Sequence, residues 1–111
     1  MSDALVRTVG EMLQTVTPAL QEVLSDEELA ATSTRVIRPT AGHTMLTMDW
    51  PTLDADDVLD DDTLLDYRTF DDRGGSWMQG IETATEMYER FRSELQDFVA
   101  ESKFGWGQWR P

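Results

Sequence analysis

Apolar positions near the C-terminus recur at steps of four and three: Trp77, Ile81, Ala84, Tyr88, Phe91, Leu95 and Phe98 fall on one side of a helical wheel. Glu82, Glu86, Glu89, Arg90, Glu94, Asp97 and Glu101 fall on the other. Gly74-Gly75 interrupts the chain before this pattern, and Ser76-Trp77-Met78-Gln79 has the reciprocal spacing of a helix N-terminus. The pattern therefore predicts a helix over 76–102, roughly 40 Å long at the usual rise per residue. Phe91 and Tyr88 should be among its most buried side chains, and Glu86 should pair with Arg90 one turn on.

The same periodicity runs through Leu5, Val9, Met12, Val16, Leu20 and Val23, widened by Val6, Leu13 and Leu24. It predicts one N-terminal helix or two in sequence over 4–24, with a kink or cap at Thr17 because Pro18 lacks an amide hydrogen. Gly10 either weakens this helix or permits a close approach. Ser25-Asp26-Glu27-Glu28 opens a further short helix to about Ala31. Beyond it the pattern changes to β-branched and alternating residues. Strands are expected over 34–38, 43–50 and 63–70, with a turn over 39–42, a stop at Pro51 and a single capped helical turn over 54–59. The order of elements predicts an α+β fold: N-terminal helices and a small antiparallel sheet of about three strands packed against a long C-terminal helix.

A chain of 111 residues with 40% hydrophobic positions suits one domain over 1–103, followed by a glycine-punctuated aromatic tail over 104–111. Cysteine is absent, which excludes disulfides, thiolate metal sites and cysteine nucleophiles, and the single His43 excludes a multi-histidine site within one chain. The first residues lack a basic region followed by an apolar run, and no stretch of 18 apolar residues occurs, so a soluble cytoplasmic protein is expected.

Charge changes the picture most. The formal net charge is −13, from 22 acidic and nine basic residues, with Lys103 the sole lysine. Ten aspartates against one arginine, Arg68, lie between residues 49 and 72, so most of the excess is local. Direct nucleic-acid binding, which relies on lysine and arginine displacing counterions, is disfavoured, and anionic membrane surfaces repel such a chain. Counted from Asp54 or from Asp60, the aspartate spacing places Val58 or Leu64 where a calcium loop needs a ligand, and neither register has glycine at the sixth position. No nucleophile motif, glycine-rich phosphate loop or histidine pair occurs. A non-enzymatic protein without metal or cofactor is therefore expected.

The candidate partner-binding residues are Asp54, Asp56, Asp57, Asp60, Asp61 and Asp62 with Glu82, Glu86 and Glu89, while Trp106 and Trp109 are candidate aromatic anchors. Together they suggest a small acidic protein-binding module, of an inhibitor or immunity type, that occludes the nucleic-acid-binding surface of a basic partner. Mimicry of the nucleic acid itself requires more, because acids one helical turn apart lie about 5–6 Å from each other whereas a duplex carries one charge per about 1.7 Å. The aspartate segment would have to lie beside the glutamates. The alternative is a structural subunit of a larger assembly, in which acidity serves solubility, as it also would in a salt-adapted source.

Overall fold

The computed structural model describes residues 4–38 and 52–102. The expected strand over 43–50, the turn before it and the tail carrying Trp106 and Trp109 lie outside the described residues. Helix α1 spans Val9–Val23 and α2 spans Asp26–Ala30; strands β1 (Thr32–Ile37), β2 (Leu64–Thr69) and β3 (Asp72–Trp77) follow, and helix α3 (Ala84–Glu101) comes last. The strands form one antiparallel sheet in the order β1-β2-β3. The fold is α+β, with α3 packed on the sheet and α1 beside α3.

Each helix begins where a side chain can satisfy amides that have no partner within the helix. At α1 the Thr8 hydroxyl accepts from the Glu11 amide at 3.2 Å and the Glu11 carboxylate accepts from the Thr8 amide at 3.1 Å. Ser25 and Glu28 exchange the same pair of bonds at α2, as their spacing predicts. Helix α1 starts later than its apolar pattern because residues 5–8 are extended: Leu5 bridges Thr83, and Thr8 bridges Val58. Pro18 stays inside α1 without a cap at Thr17, whose hydroxyl donates instead to the Leu13 carbonyl at 2.6 Å. Pro18 is exposed, so water can reach the backbone it leaves unbonded.

Helix α3 departs from expectation at its start. Thr83 and Glu86 form its capping box, not Ser76 and Gln79, and residues 72–77 form the edge strand β3. The first glycine of the pair that reads as a break is a packing requirement. A Cβ at Gly74 would lie 2.5 Å from the Tyr67 ring of the neighbouring strand. Trp77 and Ile81, the first two residues of the stripe, are consequently 51% and 68% exposed. Within α3 the buried row is Met87, Phe91, Leu95 and Val99; Tyr88 and Phe98 are half-buried along its flank.

One face of the sheet points to the helices. Val36, Leu65 and Tyr67 join Met12, Val16, Val23, Phe91 and Leu95 in a continuous core. The Tyr67 ring meets Phe91 and Phe98 edge-on, with centroids 5.8 and 5.0 Å away. Arg90 ties the β3–α3 connection to α3. It bonds Glu82 through two nitrogens at 2.7 Å each, Glu94 at 2.5 Å and the Trp77 carbonyl at 2.9 Å. The expected Glu86–Arg90 pair is replaced by these contacts because Glu86 turns back to the Thr83 amide, at 3.0 Å.

Candidate interaction surfaces

The aspartates from Asp54 to Asp62 occupy two consecutive turns rather than a helical turn. In the first, the Asp57 amide donates to the Asp54 carbonyl at 3.0 Å, and the Asp57 carboxylate accepts from the Asp54 amide at 2.6 Å. The carbonyls of this turn serve α1: Val9 donates to Asp57 at 2.9 Å and Gly10 to Ala55 at 3.0 Å. Gly10 permits that approach, since a Cβ there would sit 3.3 Å from both the Ala55 side chain and its carbonyl oxygen. A negatively charged turn against a helix N-terminus also complements the helix dipole.

The second turn closes on buried Thr63. Thr63 donates its amide to Asp60 at 3.0 Å and receives the Asp60 amide on its hydroxyl at 2.8 Å; the Asp61 amide donates to the Asp60 carboxylate at 2.8 Å. Arg38 reaches this turn, with its Nε 3.0 Å from Asp62 and a terminal nitrogen donating to the Val58 carbonyl at 2.9 Å. Among the described residues, Asp54, Asp56, Asp57, Asp60 and Asp61 have no arginine partner.

Extended residues 5–8 connect this acidic region to the glutamates. The Leu59 amide donates to the Arg7 carbonyl at 2.8 Å on one side, and the Val6 amide donates to the Glu82 carbonyl at 2.9 Å on the other. Acids remote in sequence thus share one end of the molecule. They do not make the single helical row that the sequence suggested: Glu82 precedes α3 and pairs with Arg90, Glu86 caps the helix, and Glu89 faces outward on α3. Bonds to the Arg7 amide, then to the Thr8 hydroxyl and amide, hold the Glu11 carboxyl below its ordinary range at this same end.

A shallow groove between α1 and α3 is lined by Gln14, Thr15, Pro18, Ala84, Tyr88 and Glu89. At its far end the Tyr88 hydroxyl donates to the Glu22 carboxylate, which also accepts from Arg92 Nε at 3.1 Å. The Tyr88 bond, with Arg92, lowers the Glu22 pKa, and the same bond raises that of Tyr88.

Sequence reasoning missed the sheet face turned away from the helices. Arg35, Asp66, Arg68 and Arg73 come together there with Ser33 and Thr34 around a cavity of about 290 Å³. Alternation within 63–70 already places Asp66 and Arg68 on one parity, but Arg35 joins them only through the strand register and Arg73 only once 72–77 is known to be a strand. Among the described residues, no group of histidine, aspartate and glutamate is placed to hold a metal ion, and no helix is long and apolar enough to cross a membrane. Compared with protein-family models, curated proteins and solved structures, the chain matches none.

Proposed function

We propose that this is a non-enzymatic binding module whose aspartate turns engage a basic partner protein, as an inhibitor covering a positively charged functional surface would. One observation carries the reading: five aspartates on two backbone-fixed turns have no arginine partner among the described residues, and acidic Glu82 and Glu86 lie across residues 5–8 from them. Like charges held so close destabilise the folded chain and are relieved by an opposing surface. Turns anchored by backbone bonds present that charge with little ordering cost on binding, while the charge itself steers encounter.

The test replaces Asp56, Asp57, Asp60 and Asp61 together by Asn. Asparagine keeps the acceptor oxygens that fold the turns, so the circular dichroism spectrum should be unchanged. Proteins retained by the wild-type chain from its native source are then measured against both forms at low and high salt. The variant should associate more slowly, by about tenfold or more, with a flatter salt dependence. An unchanged association rate and salt slope would sink the proposal and favour an assembly subunit whose acidity serves solubility.

A further inference from the structure

Of nine basic residues in the chain, three meet on the outer sheet face. The strand register sets Arg68 directly opposite Arg73, and Arg35 opposite Asp66. Like charges opposed across an antiparallel pair are destabilising. Asp66 offsets part of this repulsion, lying 2.9 Å from Arg35 Nε and 3.6 Å from Arg73 Nε. Its side chain is only 9% exposed, so the carboxylate sits beneath the guanidinium groups rather than beyond them. Arg68 and Arg73 remain 54% and 43% exposed, with Arg68 3.8 Å from the solvent-facing Asp71. Gly75, paired with Asp66, adds no side chain over the centre of the face.

We propose that this cavity binds the dianionic phosphoryl group of a small molecule, either inorganic phosphate or a small phosphate monoester. Among the described residues, three guanidinium groups face Asp66 within the cavity and Asp71 at its edge, which leaves a net positive charge that attracts an anion. Arginine forks match the paired oxygens of a phosphoryl group, and Ser33, in register with Arg68, adds a hydroxyl at the rim. At about 290 Å³ the space lies at the lower end of ligand cavities and suits a compact group. A nucleic-acid strand is disfavoured because the net charge of −13 repels a polyanion over a distance that a small ion enters alone. The site uses none of the residues assigned to the basic partner, so either assignment can fail without the other.

Arginine Nε resonances in proton–nitrogen correlation spectra provide the test, with inorganic phosphate and phenyl phosphate titrated separately at an ionic strength held constant with chloride. Saturable shifts of Arg68 and Arg73 are expected with at least one of the two, and the stronger ligand identifies free phosphate or monoester as the source. Arg68→Gln, at an exposed position, should weaken binding about tenfold or more. Phenyl phosphate should bind more weakly at pH 5 than at pH 7.5, because a phosphomonoester loses its second charge below about pH 6. Asp66→Asn, if it folds, should bind more tightly through loss of a competing carboxylate. Linear drift no larger than chloride produces, succinate binding as tightly as either phosphate, or an Arg68→Gln variant with unchanged affinity would each overturn the proposal.

Discussion

Gly74 and Tyr67 illustrate how a single missing Cβ fixes the centre of the molecule. The Tyr67 ring occupies the space a side chain at residue 74 would need, and Phe91 and Phe98 meet it edge-on, so it cannot swing aside. Burial raises the Tyr67 pKa far above its ordinary value, with the nearby Glu94 charge adding to the effect, so the phenol stays neutral. Gly74→Ala should cost about 1–3 kcal/mol by overpacking, read from urea unfolding. Phe70 is a second constrained position: it sits at the tip of the β2–β3 hairpin with φ of 54°, where a bulky side chain is disfavoured. Phe70→Asn should raise stability by about 1 kcal/mol in the same measurement.

Protonation gives a further check at this scale. Lowering of the Glu22 pKa means its contribution is present above the ordinary carboxylate range and lost as pH falls through the folded value. Raising of the Tyr88 pKa means the reverse, with stability present below the ordinary phenol value of 10.0 and lost as pH climbs through the folded one. Wild type should therefore exceed Tyr88→Phe in stability between those two ranges, and the difference should shrink at both extremes. Carbon-detected titration of Glu22 should show its pKa returning upward in the variant.

Among the elements, those whose local signals agree with their packing were legible. The Ser25 box, the 34–38 and 63–70 strands and the row through Phe91 and Leu95 all lie close to where periodicity and capping chemistry put them. Residues 74–83 were not legible. Ser76-x-x-Gln79 and Thr83-x-x-Glu86 are both capping sequences, and Trp77 and Ile81 extend the helical phase upstream of the true start. The competition is decided by partners remote in sequence: β2 recruits residues 72–77 as a strand, and Arg90 holds Glu82 and the Trp77 carbonyl outside the helix.

Two substitutions separate these alternatives. Thr83→Ala should cost about 1 kcal/mol as a lost cap, and amide exchange should rise at residues 84–86 but not at 77–79. Phe91→Ala should cost about 3–5 kcal/mol by leaving a cavity beneath the Tyr67 ring; a loss below about 1 kcal/mol would place the core elsewhere. The candidate site divides the same way. Clustering of the aspartates was visible in the sequence, whereas the fixed turns beneath them depend on Thr63, Gly10 and residues 5–8 and have no local signature.

For the whole molecule, charge and chain order matter more than any one contact. Acidity concentrates at the end where α1 and α3 begin, while three of the arginines gather on the outer sheet face, so a net charge of −13 conceals an uneven distribution. The order of elements has a kinetic consequence. Helix α1 is made before the other described elements, yet it packs on α3, whose last residue comes 78 positions after the end of α1. Translation at about 5–20 residues per second separates the two by roughly 4–16 s. Throughout that interval Met12, Val16 and Val23 lack the cover of α3, which leaves the nascent chain a substrate for chaperones that hold exposed apolar segments until that helix arrives.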